Sequence, residues 1–156
     1  MPVPPVASLP MYDHPALRAE TDAFWRAVAM RLAARGVPAP MRLTRREDYE
    51  TLWREPSLLM SQTCGYPYAT RLRGDVRLVA TPCHDAPGCE GPMYRSMIVV
   101  RADDPAGSLA ECGGHVAAVN AAHSQSGHNA LRVAVARAGV RLHRAIETGG
   151  HRASML

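Results

Sequence analysis

The stretch "HVAAVNAAHSQSGHNALRVAVARAGV", His115 to Val140, changes period part-way along and so decides the architecture. "HVAAVN" is a short apolar strand pattern. Beyond "AAHSQSG" the apolar residues recur with helical spacing until Gly139, so a helix is expected to start near Ser126. "HRAIETG" (143–149) then reads as a further strand. A strand, a polar turn and a helix in that order leave the N–H groups of the first helical turn free at the carboxyl edge of the sheet. Such an edge suits an anion. Ser124 and Ser126 add hydroxyl donors, Gln125 an amide, and Gly127 lets a ligand approach the backbone, while the helix dipole favours negative charge. The plainer reading makes one serine an N-cap. One cap needs one serine, and this turn has two together with a glutamine and a glycine.

The same alternation runs back to the start of the chain. "VASLPM" (6–11) predicts a buried strand, and "DHPALRAETDAFWRAVAMRLAARG" predicts a helix capped by Asp13, with Pro15 in its first turn and Gly36 at its end. Leu17, Phe24, Val28 and Leu32 are expected on its inner face. "MRLT" (41–44) predicts a strand, and Thr44 with Glu47 a capping box for a helix through Trp53. "SLLMSQT" (57–63) and "VRLVATP" (76–82) read as strands around a helical turn at "GYPYATRLRG". "YRSMIVVRA" (94–102) is the longest β-like run, with Ile98, Val99 and Val100. The whole is an α/β chain of doubly wound character, with helices on both faces of its sheets.

Composition removes several functional classes. The chain has 156 residues, 47% of them apolar, enough for one core or two small ones. All 18 basic residues are arginine, scattered along the chain without interleaved aromatics, which argues against a nucleic-acid groove and leaves small anions as the expected partners. No apolar run approaches the roughly 20 residues of a membrane span, so no direct membrane insertion is expected. "MPVPPVASLPMYD" lacks the pattern of a signal peptide, which as written would leave the chain in the cytoplasm.

A second polar turn, "SQTCGYP" (61–67), offers Ser61, Gln62 and Thr63 at a strand's carboxyl end, and Tyr12 follows the first strand where it could wall a pocket. The plainer readings are a polar turn and ordinary packing.

Taken in order, "ASLPMYD", "SQTCGYP", "ATPCHDAPGCEGPMYRSMIVVRADDPA", "NAAHSQSGHNALR" and "GGHRAS" resemble the phosphonate-type (phosphate, phosphite or phosphonate) substrate-binding proteins of ABC transporters. These form a type II periplasmic binding-protein family. The resemblance implies two α/β lobes closing over an oxyanion, a transporter permease as partner, no cofactor, and a periplasmic location. It implies lobe one over 1–93, a hinge-crossing strand over 94–102 and part of lobe two over 103–156. By residue-wise carry-over, Ser124, Gln125, Ser126 and Gly127 grip the oxygens. Tyr12, Ser61, Gln62 and Thr63 face the ligand from lobe one, Tyr94 from the hinge strand and His151 from the next helix start. Family members run about one hundred residues further, so the resemblance implies that lobe two and the return to lobe one are incomplete here, and that an acidic ligand residue of the family is missing. Alternatives of the same fold are a ligand-sensing regulatory domain and an enzyme of thiamine-related metabolism.

Cys64, Cys83, Cys89 and Cys112 lack the paired short spacings of a zinc site, so no metal is expected. Cys64 and Cys89 lie inside the family-like motifs, on loops that the fold would place on one edge of lobe one, and are expected to form a disulfide in an exported protein. His123 and His128 flank the serines, but no G-x-S-x-G elbow accompanies them, and Cys64 has no evident general base. Catalysis is not expected.

Overall fold

A computed structural model describes residues 3–11 and 13–155. The chain forms two compact units, 1–77 and 78–156. Each contains a two-stranded parallel sheet.

In the first unit, β1 (Val6–Ala7) pairs in parallel with β2 (Leu58–Met60), with an irregularity that brings Val6 opposite Leu58 and Ala7 opposite Met60. Ser8 N–H adds one more bond to Met60 O at 3.0 Å. Pro10 has no N–H to continue the ladder, and the chain turns there. A 3-10 turn, Pro15–Leu17, leads into α1 (Arg18–Ala33), rich in alanine, arginine and other good helix formers. Trp25 and Ala29 are fully buried, with Val28 and Leu32 partly so, giving the i, i+3, i+4, i+7 stripe of a core-facing helix. Ala7, Leu9 and Leu43 close over that stripe. The indole N–H of Trp25 donates to Pro40 O at 2.8 Å, so the largest core side chain leaves no orphan donor. Beyond the helix, Gly36 takes φ +75°, the left-handed conformation that suits glycine after a C-terminus.

Two expectations for this region are corrected. The inner face is Trp25, Val28, Ala29 and Leu32; Leu17 and Phe24 are 50% and 58% exposed, because the core meets the helix one residue further round. The cap is His14, whose Nδ1 accepts from Ala16 N–H at 3.2 Å, while Asp13 is drawn away into a forked ion pair with Arg45. Arg45 also reaches Asp22 on α1 at 2.8 Å. These two carboxylates raise the guanidinium's pKa and tie the 44–46 segment to the start of α1.

The segment 41–44 does not form the expected strand. Leu43 is buried and Thr44 N–H donates to Ala7 O at 2.7 Å, but one bond makes no ladder. The following helix, α2 (Tyr49–Leu52), is capped by Asp48 and not by the Thr44–Glu47 box: Asp48 accepts from Thr51 N–H at 3.0 Å and from its hydroxyl at 2.6 Å. The carboxylate is held below its ordinary pKa by those two bonds. After β2, α3 (Gly65–Pro67) and a π turn (Tyr68–Leu72) supply the expected helical turn and bury Leu72.

In the second unit, β3 (Val116–Val119) pairs in parallel with β4 (Arg144–Glu147), from Val116 opposite Arg144 to Val119 opposite Glu147. Between them a π turn (Gln125–Asn129) opens α4 (Ala130–Arg137), and Gly139 closes it at φ +66°. The strand, turn, helix and strand read from the sequence are all present. A 3-10 turn, Leu109–Cys112, precedes β3, where His115 Nε2 meets Asp104 Oδ2 at 2.9 Å. Asp104 is held below its ordinary pKa, first by Ala106 N–H and then by His115.

The expected strands 76–82 and 94–102 are absent. Both segments run without regular structure, with Val79 81%, Met97 80% and Val99 68% exposed. β-branched residues favour a strand only where a neighbouring ladder receives them, and none stands beside these segments. The α/β class with parallel pairing is therefore present, but on two small sheets.

Candidate functional site

The carboxyl end of β3 passes through Asn120 into the turn that carries the candidate oxyanion residues. Ser124 is 3% exposed and is the N-cap: its Oγ accepts from Gly127 N–H at 3.1 Å and its carbonyl from Asn129 N–H at 3.0 Å. An accepting hydroxyl still has its own proton to donate. The N–H groups of Gln125 and Ser126 lie in the first turn, ahead of the helical bonding register. Ser126 O is bound by Ser96 Oγ at 3.2 Å, which brings the 94–96 segment to this turn. Gly127 lies close against the side chain of Asn120. A Cβ built there would collide with Asn120 Oδ1, so a larger residue would require that amide to move.

One side chain from the neighbouring strand and one from the turn itself fix the approach to the turn. Ala122 N–H donates to Glu147 Oε1 at 2.9 Å, and His128 Nδ1 lies 2.8 Å from Ala122 O. The turn after β4 is anchored to the same edge: Gly149 N–H donates to Asn120 O at 3.0 Å, and Thr148 N–H to Val119 O at 2.9 Å. Thr148 Oγ1 and Ser154 Oγ lie 2.6 Å apart and knit this second turn together. His151 sits exposed on it. The second unit thus brings Ser124 to Gly127, the turn bearing His151, and the segment of Tyr94 to one end of its sheet. Tyr94 is 48% exposed, with its ring edge-on to His84 at a centroid separation of 6.4 Å.

In the first unit, Ser61 Oγ lies 2.8 Å from Ser8 Oγ, joining the carboxyl ends of β1 and β2. Gln62 O accepts the indole N–H of Trp53 at 2.9 Å, and Thr63 Oγ1 donates to Cys64 O at 3.2 Å. Leu9, Glu20, Thr21, Phe24 and Gln62 line a depression of about 270 Å³ beside this edge. The hydroxyls expected at a strand end are therefore in place there, and the backbone of Gln62 is engaged in holding the indole. Tyr12 lies outside the described residues.

The cysteines differ from expectation. All four are free thiols, so the bridge between Cys64 and Cys89 is not formed in the structure. The two residues belong to different units, and Cys64 Sγ rests 3.5 Å from Met11 Sδ, its thiol pKa pushed up by burial. Among the described residues no group of three or more His, Cys, Asp or Glu side chains is placed to hold a metal, and no helix is long and apolar enough to cross a membrane.

Sequence reasoning missed Ser8, Ser96, Asn120 and Thr148. Ser8 and Asn120 stand beside the polar turns and share their strand ends, a signal that could have included them. Ser96 and Thr148 act through contacts over 29 or 30 positions, which no local pattern announces.

A family model described as the phosphonate ABC transporter periplasmic substrate-binding protein matches residues 6–156. The chain belongs to this family. As a binding protein of that kind it has a small-molecule ligand and a transporter as the family's expected associates, and its α/β sheets with polar turns at their carboxyl ends fit the family's fold. No curated protein and no solved structure matches this binding protein.

Proposed function

We propose that this chain binds a small phosphorus oxyanion, a phosphonate, phosphite or phosphate, in the periplasm for delivery to an ABC transporter permease, with the turn Ser124–Gly127 as the principal grip. The observation that carries the reading is Ser124. Its oxygen is occupied as a cap while its proton remains to be given, beside first-turn N–H groups at a helix start. A buried hydroxyl donor and aligned N–H groups suit the several oxygens of a tetrahedral phosphorus anion, and a neutral ligand would give them no charge-assisted bonds. Ser126 adds a second hydroxyl and His151 a second polar group on the adjoining turn. Gln125 supplies its amide. The hydroxyls of Ser61 and Thr63 and the side chain of Gln62 form a polar set of the same type on the first unit, with Tyr12 next in chain order to the same strand end. Tyr94 is two residues from Ser96, whose hydroxyl meets this turn, and that supports including it.

Calorimetric titration with methylphosphonate, phosphite and phosphate tests the reading. Ser126→Ala is expected to weaken the preferred ligand by about 1–3 kcal/mol, the value of a hydrogen bond to a charged partner. Heat from none of the three ligands, or an unchanged affinity in the variant, would overturn it.

A further inference from the structure

Two side-chain polar atoms among the described residues are buried with no partner, Asn120 Oδ1 and Asn129 Nδ2. They bracket the same turn, one just before it and one at its end. A buried amide atom without a partner lowers stability, so native proteins keep few of them and each calls for a reason. The turn they bracket is also a π turn, an arrangement found preferentially at functional sites. Asn120 is the more constrained of the two. Its carbonyl receives Gly149 N–H and so ties down the turn that carries His151, while its side-chain oxygen occupies the place that a Cβ would fill on Gly127. One residue thereby fixes both turns at the carboxyl edge of the sheet.

We propose that Asn120 is a positioning residue for the oxyanion turn: its amide, docked against Gly127, sets where Ser124 to Gly127 present their donors, and it is retained for binding and not for stability. This inference rests on the oxyanion reading of the turn. It makes stability and affinity move separately, which a merely structural residue would not do. Leucine branches at Cγ as asparagine does and removes the orphaned oxygen, so Asn120→Leu frees the ligand-free protein of an unpaired buried acceptor. Its tetrahedral methyl groups are thicker than the planar amide that lies against Gly127, so the turn shifts and its donors lose their alignment.

The test measures melting temperature without ligand and the dissociation constant for methylphosphonate by calorimetry, on the full chain. Asn120→Leu is expected to melt no lower than the parent and to bind about tenfold more weakly or worse. Gly127→Ala is expected to lower both melting temperature and affinity, because its Cβ collides with the amide. Adding Asn120→Ala to Gly127→Ala restores the melting temperature but not the affinity, and this pair serves where the leucine variant does not fold. The proposal is overturned if Asn120→Leu binds within twofold of the parent, if it loses stability along with affinity, or if the double variant recovers both. Should the parent bind none of methylphosphonate, phosphite and phosphate, the oxyanion reading falls and this inference falls with it; a parent that binds while Asn120→Leu is unaffected removes this inference alone.

Discussion

Trp25 carries more of the first unit than any other side chain. It is fully buried, it begins the inward stripe of α1, and its N–H is bonded to Pro40 O. Truncation would leave a cavity between α1 and the β1 strand and would orphan the Pro40 carbonyl. Trp25→Ala is therefore expected to cost about 3–5 kcal/mol, the range for removing a large aromatic from a core, measured by urea denaturation. Phe24→Ala, one position away, is expected to cost under about 0.5 kcal/mol, because its ring faces outward. Comparable losses from the two variants would show that the core had been assigned to the wrong face.

Among the elements, the contrast lies between β3 and the 94–102 segment. Both are apolar and β-branched, yet β3 has a parallel partner across its full length and the other segment has none. Hydrogen exchange should separate them: ladder amides of β3 and β4 protected, those of Met97 to Val100 exchanging at close to the rate of an open chain. Protection across 97–100 would mean that the segment is paired in solution. The same contrast explains what could be read in advance. The β3, turn, α4 and β4 series was legible because a change of period, polar cap residues and a closing glycine all agree over a short span. The strands at 41–44, 76–82 and 94–102 were expected on side-chain type alone, and type does not tell whether a neighbour exists. Helix α1 was legible as an element, but its face was not. Leu17 and Phe24 fit the period as well as Trp25 and Ala29 do, and only the position of β1 and Leu43 decides between the two stripes. The turn Ser124 to Gly127 was legible as a polar turn at a helix start because its residues are contiguous. The closeness of Asn120 to Gly127 is created by folding, and no local pattern announces it.

For the molecule as a whole, the four thiols give a direct test of the fold. Cys83 is exposed, Cys64 and Cys89 are half-buried and Cys112 is buried. Burial raises the pKa of Cys64, so less of it is thiolate at a given pH and it reacts more slowly. Alkylation of unreduced native protein at neutral pH should label Cys83 first and Cys64 and Cys112 late, with all four accessible once the chain is unfolded in denaturant without reductant. Any pair that resists labelling in denaturant until reductant is added would reveal a disulfide.

The two parallel ladders also differ in what each requires of the chain before it can close. Val6 meets Leu58, whereas Val116 meets Arg144, a separation nearly half as long. Closure entropy grows only logarithmically, at about 0.6 kcal/mol for each doubling, so connectivity favours early closure of the second ladder by less than about threefold. The first unit holds Trp25, Ala29 and Leu43 against its ladder, and the second buries little beyond Cys112 and Val119. An advantage of threefold in search is smaller than the weight of one buried indole. The apolar mass therefore makes the first ladder the more strongly held of the two, and the length of the crossover is a minor correction to that difference.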